Sequence, residues 1–350
     1  MATRKLRWGI VSTGNIARTL ARALAKSETG ELVAVASRRS EAAVNFAREF
    51  GAPRAHGSYE ALFADPEVDV VYIATPHPSH AHWSVLAARA KKHVLCEKPL
   101  AMNETEVSRV LAAARENDVF LMEAFMYRCA PQTRKLVELV QSGTLGQVHA
   151  ISASFGFDGA FPLSGRLLSR ELGGGGIMDV GCYPVSVSRL LAGAAQGAPF
   201  SDPIEVHGFG HVGESSRVDE YAVAILKFPG DIVATLATSV QLLQDNVVRV
   251  FGREGRLLVR DPFLPAREGG HTELVLERPG REPETVRVEA PDGLYVYEVD
   301  AVAAQIERRE AREMSQADSL GNARTLDQWR RALGVTYAAD AAAASPLQAS

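Results

Sequence analysis

Short apolar runs alternate with helical periodicity over the first third of the chain. Leu6–Val11 is a continuous apolar run, after which Ile16, Leu20, Ala23 and Leu24 recur at helical spacing. Residues 32–36 form a second run, and Ala43, Phe46, Ala47 and Phe50 mark the next helix. Further strands are predicted over 68–74, 94–96 and 120–122, with helices over 80–91 and 104–117 between them. Strands this apolar are buried on both faces, as a parallel sheet between two helical layers requires. The alternation predicts a doubly wound α/β domain, with a parallel sheet, over residues 1–123.

Beyond Pro131 the period changes. A helix is predicted over 132–142 and a long strand over 148–157. Strands follow over 204–211, 219–228 and 231–240, with Pro229-Gly230 turning between the last two. More are predicted near 246–251, 256–260, 272–278 and 284–289, and two helices, 295–311 and 319–333, close the pattern. Residues 124–337 therefore read as an α+β domain with a large, predominantly antiparallel open sheet, and the Ala-rich tail, 338–350, as loose. Strand 231–240 carries small or apolar residues on both faces, which predicts a cover on each. Helices of the same domain supply one cover. A partner subunit supplies the other, in a homodimer or homotetramer.

The length of 350 residues suits two domains. With 38 basic and 42 acidic residues the formal charge is −4, and no stretch clusters Lys and Arg. A phosphate-backbone partner needs such a cluster, so nucleic acid is not expected. Cys96, Cys129 and Cys182 are too few and too irregular for a disulfide framework or a zinc site, which suits a reducing cytoplasm. Arg4, Lys5 and Arg7 ahead of an apolar stretch imitate a signal peptide, but Asn15, Arg18 and Arg22 interrupt it. No run reaches the ~18 apolar residues of a membrane span, and no membrane partner is expected.

Candidate chemistry begins in the first strand–helix turn. In Gly9-Ile10-Val11-Ser12-Thr13-Gly14-Asn15-Ile16-Ala17, Gly14 and Ala17 take the second and third small positions of a dinucleotide fingerprint, while Ser12 replaces the first glycine. Ser12, Thr13, Gly14, Asn15 and Ile16 are thus candidates to cradle a pyrophosphate at a helix N-terminus. The second strand ends in Ser37-Arg38-Arg39 rather than in Asp or Glu. A hydroxyl and two cations suit a 2′-phosphate, so the preferred cofactor is NADP(H). Thr75, Pro76, His77 and His80 lie after another strand, where a doubly wound sheet binds ligands. The histidines lack Cys, Asp or Glu at ligand spacing, and no metal is expected. Glu97 and Lys98 end the next strand, at the same edge of the sheet, and are further candidates to contact the cofactor.

The second constellation is the run from Gly173 to Gly176, followed by Asp179 and Tyr183. With a helix beginning near Met178, Asp179 and Tyr183 share a face. A carboxylate, a phenol and the Lys98 ammonium then converge on one substrate hydroxyl. The bland alternatives are an N-cap for Asp179 and a core aromatic for Tyr183.

The segments GIVSTGNIA, ASRRS, ATPHPSH, CEKPL, EAFMYR and GGGGIMDVGCYP, in this order, resemble the glucose–fructose oxidoreductase / inositol dehydrogenase / MocA superfamily from Leu6 to about Gly334. The branch most similar is that of dimeric dihydrodiol dehydrogenases and NADP-dependent D-xylose dehydrogenases. The resemblance implies a Rossmann domain followed by a substrate and oligomerisation domain. It also implies reversible hydride transfer between NADP(H) and a sugar, polyol or vicinal dihydrodiol. By position it makes Lys98 a contact of nicotinamide and substrate, Tyr183 the general acid/base and Asp179 the group that orients substrate. Either Tyr183 or Lys98 moves the proton. Arg128 is placed near the pocket, although Cys129-Ala130-Pro131 follows where relatives read Phe-His-Pro. Phe157, with Phe155, is a candidate lining of the substrate side. A non-catalytic NADP-sensing regulator and an NAD-dependent glycosidase share the fold. The retained Lys98, Asp179 and Tyr183 argue against the first, and the arginines after the second strand against the second. The three cysteines flank these segments, which predicts thiol sensitivity, with Cys96 and Cys129 the targets.

Overall fold

The structure is a computed structural model that describes residues 4–159, 162 and 165–344. It divides into two compact units, Met1–Cys129 with Asp292–Leu320, and Ala130–Pro291 with Gly321–Ser350.

In the first unit the five apolar runs and one further short segment form six parallel strands: β1 (Leu6–Val11), β2 (Gly30–Ala36), β3 (Arg54–His56), β4 (Val70–Ile73), β5 (His93–Glu97) and β6 (Leu121–Ala124). Their order is β3-β2-β1-β4-β5-β6. The chain leaves β1 toward one side for β2 and lies on its other side at β4, so the order reverses there. The ligand crevice of such a sheet opens beyond the C-terminal ends of those strands. Helices α1 (Asn15–Lys26), α2 (Ser40–Phe50), α3 (Tyr59–Phe63), α4 (His80–Arg89), α5 (Glu104–Glu116) and α6 (Met126–Cys129) connect or follow the strands. The short edge strand β3 and the one-turn α3, capped by Ser58 Oγ on the Ala61 amide at 3.1 Å, are too brief to leave a period in the sequence.

The segment Asp292–Leu320, expected with the second domain, belongs to the first unit, as do residues 124–129. The helix following α7 (Pro131–Gln141) and α8 (Cys182–Ala194) in the chain is α9 (Leu294–Gln305), and it packs against α1 and α6. Thr29 Oγ1 donates to Asp300 at 2.6 Å, and the Leu121 amide donates to the Arg309 carbonyl at 3.1 Å. An apolar helix shows in sequence that it will be covered, but not which sheet covers it.

The second unit is built on β7 (Val148–Gly156), β8 (Glu205–Val212), β9 (Asp219–Phe228), β10 (Ile232–Ser239), β11 (Val247–Gly252), β12 (Arg256–Arg260), β13 (Gly270–Glu277) and β14 (Glu284–Ala290). They form one sheet in the order β14-β13-β12-β11-β7-β10-β9-β8. Every pairing is antiparallel except β7 with β10. Helix α8 packs on β7 and β10 and is buried along its whole length, Ser186, Ser188 and Arg189 included. Strand 231–240 was expected to be covered on both faces. In the single chain β10 and β9 alternate, buried toward α8 and exposed on the other side.

Helix α10 (Gln316–Ala332) is followed by α11 (Ala338–Ala344). The tail expected to be loose from Ala338 is therefore helical at first. Arg330 pairs with Asp340 at 3.0 Å, and the Tyr337 amide donates to the same carboxylate at 2.9 Å. Residues 345–350 lie outside the described residues. Among the described residues no helix is long and apolar enough to cross a membrane.

Candidate active site

The first unit has an open turn at the C-terminal end of β1, the segment from Ser12 to Ile16. Ser12, where the fingerprint has glycine, holds a φ of +98° and so adopts the conformation that glycine would have supplied. Gly14 precedes α1, no side chain caps that helix, and its first turn has no acidic residue. A side chain on Gly14 would meet nothing nearer than Ser12 Oγ at 3.9 Å. Open space over an uncapped helix N-terminus fits a pyrophosphate, because the first amides point into it and the helix dipole favours negative charge.

At the end of β2, Ser37 is buried and its Oγ accepts the Arg39 amide at 3.3 Å, while Arg38 and Arg39 are exposed. Burial raises the Tyr59 phenol, and the adjacent Arg38 opposes that rise by charge and hydrogen bond. Two exposed cations with no acidic residue at this strand end suit an added phosphate. They suit bare ribose hydroxyls poorly.

The histidine segment follows β4. Ser79 Oγ donates to Thr75 Oγ1 at 2.9 Å. His80, expected to touch the cofactor, is fully buried with Nδ1 2.8 Å from the Pro99 carbonyl and Nε2 2.7 Å from that of Thr75. Both ring nitrogens are thus engaged by backbone, and His80 ties the end of β4 to the segment just after Lys98. His77 is buried edge-on to it, with ring centres 5.6 Å apart. Among the described residues no group of three or more His, Cys, Asp or Glu is arranged to hold a metal.

Glu97 at the end of β5 is buried and accepts the hydroxyl of Tyr72, an internal role in place of the cofactor contact expected of it. Burial, then the charges of Glu97 and Glu298, push the Tyr72 phenol well up. Lys98, next in the chain, is half-buried. Arg128, expected beside the substrate, is buried and paired with Asp318 at 2.6 Å. That guanidinium fastens the start of α10 to α6 within the first unit.

The second unit assembles the Asp179 and Tyr183 region. The glycine run turns sharply, with Gly173 at φ +69° and Gly175 at +107°. The Gly174 and Gly175 amides donate to the Ser169 and Leu167 carbonyls at 2.9 and 2.8 Å. A π-helical turn, Ile177–Gly181, comes before α8. The α-helix expected from Met178 thus starts at Cys182, and the i→i+5 bonding of a π turn takes more residues per turn, so the four-residue spacing no longer argues a shared face. Such turns are frequent at functional sites.

Asp179 accepts from Arg166 Nη2 at 2.8 Å, and Arg166 is a residue the sequence patterns did not single out. It lies thirteen residues earlier in a single 3₁₀ turn, Arg166–Leu168, where no periodicity marks it. Tyr183 is packed edge-on to Phe155, with ring centres 5.3 Å apart, and lies 5.4 Å from Phe263. Phe155 and Phe263 stack at 5.1 Å. Phe263 was also missed, since a lone Phe in a loop carries no pattern. Phe157 is half-buried just beyond β7, its amide donating to the Ser239 carbonyl at 3.1 Å.

The expectation of reactive thiols fails. Cys96, Cys129 and Cys182 are all buried, and none is in a disulfide. Burial pushes the Cys96 thiol far above its ordinary value; a hydrogen bond with Ser84 opposes this, and Glu97 and Glu123 add to it. A thiolate needs an accessible, electropositive setting, and being near Lys98 in sequence does not supply one.

Comparison with known proteins bears on the whole chain. Residues 6–125 match the GFO/IDH/MocA oxidoreductase family with its NAD-binding Rossmann fold, and residues 133–258 match the C-terminal domain of the same family. Trans-1,2-dihydrobenzene-1,2-diol dehydrogenase of Danio rerio is 36% identical over 344 residues, 96% of this chain and 99% of that protein. The enzyme of the same name from Mus musculus is 34% identical over 345 residues, 96% of this chain and 99% of its own. Among solved structures, a 3-ketoreductase from Actinomadura kijaniata in complex with NADP and TDP-benzene superposes with a TM-score of 0.82 at 28% identity, covering 94% of this chain and 98% of that one. An aldose-aldose oxidoreductase from Caulobacter crescentus, complexed with glycerol, gives 0.84 at 25% identity, covering 94% and 97%.

Proposed function

This chain belongs to the GFO/IDH/MocA family of oxidoreductases, and from that premise we propose that it is an NADP(H)-dependent enzyme interconverting the hydroxyl and carbonyl of a cyclic vicinal diol, either a dihydrodiol or a pyranose sugar. Tyr183, a phenol on the aromatic floor of Phe155 and Phe263 and four residues from the Asp179–Arg166 pair, supports this reading most directly. Phe155, half-buried beside the phenol, suits the apolar side of a cyclic substrate, and the phenol suits proton exchange with its hydroxyl.

Ser12 to Ile16 would hold the pyrophosphate through backbone amides, with Ser37, Arg38 and Arg39 on the 2′-phosphate and Thr75, Pro76 and His77 along the strand ends. The bound nicotinamide supplies hydride acceptance and return. Tyr183 Oη takes the hydroxyl proton in the oxidative direction and gives it back in the reductive one. An ordinary phenol has a pKa of ~10, so the transfer needs a cation, and Lys98 is assigned that role. Asp179, held by Arg166, orients the second hydroxyl. Three cysteines outside any disulfide suit the reducing cytoplasm expected for this enzyme.

A panel of dihydrodiols and aldoses, assayed in both directions with each nicotinamide cofactor, tests the reading. NADP+ turnover with a cyclic diol is the expected result. NADPH binding without turnover of any member would leave a sensor instead of an enzyme. Within the same assay, Arg38→Ala is expected to raise KM for NADP+ about tenfold or more, from the loss of a charge-assisted contact of ~1.5–3 kcal/mol, and to leave NAD+ nearly unchanged. Equal damage to both cofactors would remove Arg38 from the phosphate site.

We also assign the exposed face of β8, β9 and β10 to contact with a second copy of this chain. Phe209, Val223 and Ile225 are 77, 51 and 56% exposed there, and such a contiguous apolar face invites a partner. Light scattering is expected to give a dimer or a dimer of dimers, and Val223→Glu with Ile225→Lys is expected to give monomers that stay folded. A wild-type mass near 37.7 kDa would reject the assignment.

A further inference from the structure

Asp219, the first residue of β9, is fully buried, and its carboxylate is turned toward the glycine run. Oδ2 accepts the Ile177 amide at 2.6 Å, and the Gly176 amide also bonds to this carboxylate. Oδ1 has no hydrogen-bond partner among the described residues. It fills the space that a side chain on Gly175 would need: a Cβ there would lie 2.5 Å from Oδ1 and 3.2 Å from the Tyr337 hydroxyl. Two more contacts fasten the same run, Thr238 Oγ1 donating to the Gly176 carbonyl at 3.2 Å and Tyr337 Oη donating to that of Gly174. The run leads directly into the π turn with Asp179, whose amide donates to the Gly175 carbonyl at 3.1 Å, and then into the first turn of α8 with Tyr183.

We propose that Asp219 is a positioning residue of the reaction: as a carboxylate it pins the glycine run to the end of β9 and thereby sets where Asp179 and Tyr183 stand. The inference rests on the dehydrogenase reading above. Burial pushes Asp219 up to about 7, against the opposing pull of the Ile177, Asp219 and Gly176 amides and of Arg330. Arg330 is itself paired with Asp327 and Asp340. The other titratable neighbour is the Tyr337 phenol, which burial and then Asp219 push up; Arg330 and Arg170 act on it in the opposite sense, and Asp340 with Asp219. Hydrogen bonds to an ionised acceptor are about twice as strong as neutral ones. Protonation of Asp219 as pH falls through this range therefore loosens the run, and the catalytic pair loses its placement on the acid side.

Reductive turnover with NADPH reads this coupling, because Tyr183 then starts protonated and contributes no acid limb. Wild-type kcat is expected to fall about tenfold from pH ~8 to pH ~6. Asp219→Asn keeps an acceptor oxygen but cannot ionise. It is expected to lower kcat about tenfold or more, with KM for NADPH unchanged, and to flatten the profile over that range. Thr238→Val weakens the same run without removing the titrating group, so it is expected to lower kcat and keep the limb. Hydrogen-exchange mass spectrometry needs no substrate. Peptides covering 174–190 are expected to exchange at least about threefold faster in Asp219→Asn than in wild type at equal pH, with the first unit unchanged. A wild-type reductive profile that is flat from pH ~6 to ~8 overturns the proposal, as does an Asp219→Asn variant with normal kcat, limb and exchange. Absence of turnover by wild type on every substrate would instead sink the dehydrogenase reading, and the exchange comparison would still decide the role of Asp219.

Discussion

Tyr183→Phe is expected to lower turnover by about 10²–10⁴-fold, the usual worth of a positioned acid or base, while NADPH binds as before. The substitution keeps the ring that packs on Phe155 and Phe263, so the hydroxyl alone is lost. Quenching of protein fluorescence by NADPH, run beside the turnover assay, separates binding from chemistry. Lys98→Ala is expected to cut turnover strongly as well, through the loss of its cation. Near-normal turnover of Tyr183→Phe across pH would show that the phenol does not move the proton, and Lys98 would inherit the role.

Asp318→Ala is expected to destabilise the protein by about 3–5 kcal/mol, because it leaves the Arg128 guanidinium charged in a site closed to water. Both side chains of this pair are at most 3% exposed. Thermal unfolding should register the loss as a drop of roughly 10 °C. Replacing both partners with apolar residues, Arg128→Met with Asp318→Leu, is expected to recover most of that stability, since the desolvation of two charges is removed together with their attraction. Substrate KM of the double variant decides between the two roles given to Arg128. An unchanged KM fits the buried pair of the structure, and a raised KM with recovered stability would return Arg128 to the substrate.

Two kinds of information separate cleanly along this chain. Local physics is written in the sequence: the apolar runs of β1, β2, β4 and β5, the helical periods of α1 and α2, and the Pro229-Gly230 turn between β9 and β10 all lie close to where the structure has them. Each depends on residues within one turn or one strand, so periodicity suffices. The turn between β1 and α1 was legible for the same reason. Even Ser12, which breaks the fingerprint, turns out to hold a glycine-like φ, because the geometry of the turn is demanded by its place between β1 and α1.

Tertiary structure alone decided what depends on partners distant in the chain. That Arg166 would hold Asp179, that Phe263 would join Phe155 under Tyr183, and that Asp219 would reach the glycine run across a sequence separation of 42 leaves no local trace. The same holds for the residues that changed role. Arg128, Glu97 and the three cysteines sit in motifs or beside them, but burial and pairing with Asp318, Tyr72 or the core set their chemistry. Motif position names a neighbourhood in sequence, whereas charge state and reactivity follow from solvent access and from the groups within hydrogen-bond reach, and both are properties of the folded chain.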